Sequence, residues 1–188
     1  MNPSRQQQYL NRILQIHFAV LEASVLNENG VEILRLGRFL GPNPDLRDFR
    51  GEELFTGAMG PRGQFIGRLE RFQGLYPTVT ISAPIVDGRV SPAKAVGVVA
   101  ARVSLNGLST LLAMEFPASG KSQAAVMTRD GFLIAHSDPR EIYRPDARMP
   151  AEIEKVLTTQ DNVKGGGEIS LEGGKRLLGA FSLIEKLD

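Results

Sequence analysis

Residues 28–38 read ENGVEILRLGR, and about a hundred positions later residues 129–139 read RDGFLIAHSDP. Each sets an Asn-Gly or Asp-Gly turn between two apolar runs, where glycine supplies the positive φ that a tight hairpin needs. Downstream of each hairpin the same outline recurs: a proline-marked loop, a short helix, then two strand-like segments. A chain that restarts its own order of elements reads as two units of one kind.

Near the N-terminus, SRQQQYLNRILQIH (residues 4–17) places apolar groups at Tyr9, Leu10, Ile13, Leu14 and Ile16, the three-and-four spacing of an amphipathic helix. Its stripe needs a partner, either the chain's own domain or a second copy. From Phe18 the pattern turns to FAVLEASVL, the Asn27-Glu28-Asn29-Gly30 turn and VEILRL, the first hairpin. Pro42, Pro44 and Gly41 then mark a loop, and DFRGEELFTGAM forms a short helix that buries Phe49, Leu54, Phe55 and Ala58. Strands are expected over residues 64–72, 76–86 and 95–105, paired antiparallel. In TVTISAPI, Val79, Ile81 and Ala83 alternate with Thr78, Thr80 and Ser82, so the hydroxyl face either lines a wet pocket or faces solvent.

Asn106 is placed to cap a helix running GLSTLLAMEF, which Pro117, Ser119 and Gly120 end. The order then restarts. AAVMT and FLIAH flank the Asp130-Gly131 turn, YRPDARMP is a loop, and PAEIEKVL is a short helix with Pro150 in its first turn. GGGEISL and KRLLGAFSLI pair across Gly173-Gly174. The first half has a fifth strand, AVGVVAARVSL, for which the second half shows no counterpart before Asp188.

Charge excludes one class of partner: 22 basic and 21 acidic side chains leave a net +1, with no basic stripe to recruit nucleic acid or an anionic membrane. With no cysteine there is no disulfide frame, thiolate metal site or Cys nucleophile. No apolar run reaches the roughly 20 residues that span a bilayer, and MNPSRQQQYL lacks the order of a signal peptide.

The stretches ASVLNENGVEILRL, DFRGEELFTGAM, GQFIGRLERF, YPTVTISAPIVDG, AVGVVAARVSL and VMTRDGFLIAHSDP, in that order and spacing, resemble the double Cache (dCache) family. These are extracytoplasmic sensor domains of bacterial transmembrane receptors. The resemblance covers most of the chain and implies an α+β fold of two tandem PAS-like units, each an antiparallel sheet flanked by helices. It implies these boundaries: the end of a stalk helix over residues 1–17, a membrane-distal unit over 18–105, a connecting helix and loop over 106–120, and a membrane-proximal unit over 121–188 that lacks its last strand. It further implies membrane spans flanking this chain, a periplasmic setting on the inner membrane, homodimerisation through the N-terminal helix, and a ligand in the distal unit.

An amino-acid-binding branch of the family carries Arg-x-Trp-Tyr on the short helix and an Asp in the last distal strand. Setting Phe55 on the Tyr puts Leu54 on the Trp and Glu52 on the Arg, while Arg102 falls on the Asp. Both charges are inverted, and a glutamate cannot offer a carboxylate the forked donor it needs, so no amino-acid ligand is expected. The remaining candidate pocket holds Arg102 with Phe55, Tyr76, Thr80 and Ser82 nearby. A buried Arg102 needs an anion, either a carboxylate ligand or Glu52 of the same chain. Arg50, Arg68 and Arg71 either raise the potential at the pocket mouth or are solvated surface.

Enzyme readings find no support. FPASGKS has Glu115 where a phosphate loop requires glycine, and GGGEISLEGG lacks the strand-to-helix context of a dinucleotide site. His136 and Asp138 lack a third metal ligand at plausible spacing, so a structural histidine is expected and no metal or cofactor. The expected function is ligand sensing for a histidine kinase, nucleotide cyclase or chemoreceptor, the ligand being a small molecule, an organic anion among the candidates. The competing readings are a PAS-like interaction module with an internally ion-paired pocket and no small-molecule ligand, and a cytoplasmic PAS-like regulatory domain.

Overall fold

A computed structural model describes residues 3–40, 45–74, 76–89, 91, 94–117, 122–128, 131–144, 151, 164–170 and 176–182. The chain divides into two compact units, Met1–Gly107 and Leu108–Asp188. Among the described residues no helix is long and apolar enough to cross a membrane.

The first unit opens with helix α1 (Pro3–Ile16), followed by strands β1 (Val20–Asn27) and β2 (Glu32–Gly37), helix α2 (Glu53–Met59), and strands β3 (Phe65–Phe72), β4 (Tyr76–Asp87) and β5 (Lys94–Ser104). The strands form one antiparallel sheet in the order β2-β1-β5-β4-β3, so the last strand is inserted beside the first. The first hairpin turns where glycine permits it: Gly30 has φ +79°. The Asn27 side chain braces the turn, its Oδ1 accepting the backbone N–H of Asn29 at 2.9 Å and of Val31 at 3.1 Å.

Alternation along β1 and β5 sends Ala23, Val25, Val99 and Ala101 to one face, where Leu10, Ile13 and Leu14 of α1 cover them. Of the predicted stripe, Tyr9 and Ile16 instead face outward, 62% and 56% exposed, because residues 10, 13 and 14 alone share the sheet-facing side. Arg38 closes the end of α1: it donates to the carbonyls of Leu14, of His17 at 3.2 Å and of Val20 at 2.9 Å. On the opposite sheet face, Leu26, Val98 and Ala100 pack under α2 through Ala58, Leu54 and Phe55. The β2 edge is covered by the segment around Asp48, which bridges to Val31 while Glu32 N–H donates to Arg47 O at 2.9 Å.

Helix α3 (Asn106–Glu115) starts at Asn106 itself, and the Ser104 hydroxyl accepts the Asn106 N–H at 3.3 Å. In the second unit, β6 (Ala125–Met127) pairs with β7 (Leu133–His136), and β8 (Lys164–Ser170) with β9 (Arg176–Ser182), both antiparallel. The expected PAEIEKVL helix beyond Ala151, the Gly173-Gly174 turn and the end of the chain over residues 183–188 lie outside the described residues.

Candidate functional site

Three strands of the first unit set a row of directly opposed residues on the α2 face. Glu22 of β1 pairs with Arg102 of β5, which pairs with Thr80 of β4. The next row is Arg35 of β2, Ser24, Ala100, Ser82 and Phe65 of β3. A third row, Leu26 and Val98, is fully buried. One face thus runs from an apolar end sealed by α2 to a polar end whose floor consists of small side chains. Small side chains leave space, and a cavity of about 610 Å³ stands there, with Ser24, Gly67, Thr80 and Ala100 among its lining.

Its walls are charged. Glu22, Glu32, Glu52, Glu53 and Glu70 face the cavity together with Arg35, Arg47, Arg68 and Arg102. Arg102 Nη1 donates to Glu22 Oε2 at 2.7 Å, and its guanidinium carbon lies 5.0 Å from the centroid of Phe72. Arg35 sits 3.7 Å from Glu32, whose Oε1 accepts the Ser24 hydroxyl at 2.6 Å and whose Oε2 accepts the Arg47 N–H at 3.0 Å. Glu32 and Arg35 are three apart in sequence yet share a face, because Ile33 is an extra residue in β2: Val25 pairs with Leu34 and Leu26 with Glu32.

Of the residues singled out from sequence, Arg102, Thr80 and Glu52 line this cavity. Glu52 does not meet Arg102: it lies at the exposed start of α2, and the carboxylate on Arg102 is Glu22, one strand away. Phe55, Tyr76 and Ser82 are not among the lining residues. Phe55 packs from α2 into the core, and Tyr76 stacks on Phe39 with centroids 6.3 Å apart. Ser82 faces the same side as Thr80, but α2 lies over it and its hydroxyl donates to Leu54 O at 2.7 Å. Arg68 reaches the cavity, whereas Arg50 pairs at the surface with Asp48 at 3.0 Å. Glu22 was legible as the lone acid in VLEASVL; Glu32 and Arg35 were not, since only the bulge brings them together.

In the second unit, His136 Nδ1 accepts the backbone N–H of Asp138 at 2.9 Å. The Asp138 carboxylate accepts from Arg140 Nε at 2.9 Å and Nη2 at 2.6 Å, and from the Arg140 N–H at 3.1 Å. The Arg140 side chain, foremost, holds the Asp138 carboxyl down at about 2. Both side chains are engaged in shaping the loop after β7, and among the described residues no group of three metal-binding side chains occurs.

No sequence-family model and no curated protein sequence matches the chain. Solved structures do. The extracellular domain of the candidate histidine kinase mmHK1S-Z2 superposes with a TM-score of 0.63 at 12% identity, covering 96% of this chain and 76% of that one. The ligand-binding domain of the Campylobacter jejuni chemoreceptor Tlp3, solved with 4-methylisoleucine, gives 0.63 at 16% identity, over 91% of this chain and 63% of that one. The ligand-binding domain of the Pseudomonas aeruginosa amino-acid chemoreceptor PctC, solved with GABA, gives 0.60 at 15% identity, over 93% and 71%. The chain spans about two thirds to three quarters of these domains, and its fold is that of the Cache-type extracellular sensor domains.

Proposed function

We propose that this chain is the extracytoplasmic ligand-sensing region of a transmembrane receptor and that a small molecule binds in the cavity of its first unit. The observation that carries the reading is the charged cavity of about 610 Å³ on the α2 face, floored by Ser24, Thr80 and Ala100. That volume lies within the range of small-molecule sites. The fold shared with sensor domains of a candidate histidine kinase and of chemoreceptors supports the same reading. The role is binding rather than catalysis, and the output module is a kinase, a nucleotide cyclase or a chemoreceptor signalling domain. The first unit is the membrane-distal one, α1 continues a stalk from a first membrane span, and the outward Tyr9 and Ile16 meet a second copy there.

The ligand class inferred is an organic anion: five glutamates face the cavity beside its four arginines, but none of them hydrogen-bonds the buried Nε of Arg35. Two neighbours were solved with an isoleucine analogue and with GABA; here Arg102 stands where the amino-acid-binding pattern has an Asp, and its charge is answered by Glu22. Binding favours one packing of α2 and the sheet, and α1, packed on the reverse face, carries that bias towards the membrane.

One observation favours a second reading. Glu22 with Arg102 and Glu32 with Arg35 answer two of the cavity's cations internally, as in an interaction module that takes a partner protein and no small molecule. A thermal-shift screen over carboxylates, amines and purines separates the two. A sensor is stabilised, by about 2.7 kcal/mol at a hundred times Kd, or roughly 5–10 °C for a chain of this size. Stabilisation by no class favours the interaction module.

A further inference from the structure

We propose that Arg35, rather than Arg102, anchors the ligand, and that the ligand is a small carboxylic acid whose carboxylate seats at the β2 end of the cavity. The inference rests on the sensing reading and deepens it. Arg35 lines the cavity and is only 7% exposed. Its Nη2 donates to Asp45 O, but its Nε is closed off from solvent and donates to nothing. Glu32, 3.7 Å away, is too far for a hydrogen bond, and its two oxygens already accept from Ser24 and from the Arg47 backbone. A buried donor without an acceptor is costly, so a carboxylate oxygen that meets Nε as the Arg35 side chain shifts towards the cavity removes a penalty the free protein carries.

Arg102 offers no such opening. Its Nη1 is bonded to Glu22 and its face is covered by Phe72. A simple acid binding at Arg102 would break its 2.7 Å bond to Glu22 and strand a largely buried carboxylate, whereas Glu32 stands 3.7 Å from Arg35 Nε without bonding it, so an acid there displaces no side-chain hydrogen bond. The guanidinium fork matches a planar carboxylate, and the small residues Ser24 and Ala100 in the same cross-strand row leave room for a short acid chain.

The test is calorimetric titration of the 188-residue chain with sodium acetate, lactate, succinate and citrate at constant ionic strength, using wild type, Arg35→Lys, Glu32→Gln and Arg102→Lys. At least one acid binds wild type. Arg35→Lys keeps a cation beside Glu32 but loses Nε and the fork, so affinity falls by about tenfold or more. Glu32→Gln removes the competing negative charge and tightens binding, and Arg102→Lys loses less affinity than Arg35→Lys. Equal affinity in Arg35→Lys, or loss confined to Arg102→Lys, overturns the assignment. If circular dichroism shows Arg35→Lys unfolded, Glu32→Gln decides, and no gain in affinity overturns it. Binding of an amine or purine but of no acid sinks the role of Arg35 and leaves the sensor standing; no binding by any class sinks both.

Discussion

Glu22 and Arg102, 80 positions apart in sequence, face each other across β1 and β5 and share a 2.7 Å hydrogen bond at the polar end of the cavity floor. The side chains are 11% and 22% exposed, so removing either leaves its partner largely desolvated and unpaired. Glu22→Gln or Arg102→Met therefore destabilises the first unit by about 1–3 kcal/mol, and the double variant recovers most of the loss. Urea denaturation in a double-mutant cycle measures the coupling, expected at about 1 kcal/mol or more; additive losses would mean the pair does not act as one.

Ser82 ties β4 to α2 through its 2.7 Å bond to Leu54 O, in a buried position. Ser82→Ala removes that donor and costs about 1–2 kcal/mol. Hydrogen exchange along Glu53–Met59 rises in the variant if the hydroxyl steadies α2; unchanged protection would show that packing alone does so.

Gly30 turns the first hairpin at φ +79°, and a Cβ there would stand 2.6 Å from Arg50 Cα. Gly30→Ala meets both a left-handed backbone and a main-chain clash, so a loss of about 2 kcal/mol or more is expected in thermal or urea unfolding. A loss under about 0.5 kcal/mol would mean the segment around Arg50 yields freely.

The loop of the second unit that carries Asp138 is expected to lose stability in acid. Asp138 titrates at about 2 instead of 3.8, first because of the Arg140 side chain. A depressed folded-state value adds stability that is complete above the unfolded value, near 3.8, and is lost as pH falls towards about 2. Unfolding midpoints of wild type should fall over that window more steeply than those of Asp138→Asn. Parallel pH profiles would contradict the pairing.

The strands of the first unit were legible almost to the residue: segments expected over 64–72, 76–86 and 95–105 stand as Phe65–Phe72, Tyr76–Asp87 and Lys94–Ser104. Glycine and proline punctuate them and alternation sets their faces, both of which are local properties. The cavity was legible only in part. Thr80 was placed by strand alternation and Arg102 by the family's Asp position on the last distal strand, but Ser82 on the same face as Thr80 lies under α2, and its hydroxyl is used there. Glu52 was matched to Arg102 by its place on the short helix; the actual carboxylate comes from a strand whose neighbour is set by sheet order, which no local pattern encodes. Glu32 and Arg35 read as opposite faces of one strand until Ile33 bulges out and puts them together.

Ligand sensing by the first unit is decided by a crystal structure of this chain soaked with the compound that stabilises it most in the thermal-shift screen. Ligand density is expected in the first unit, over Thr80 and Ala100 and within hydrogen-bond reach of Arg35. Density in the second unit, or on the outer face of α1, would contradict that placement.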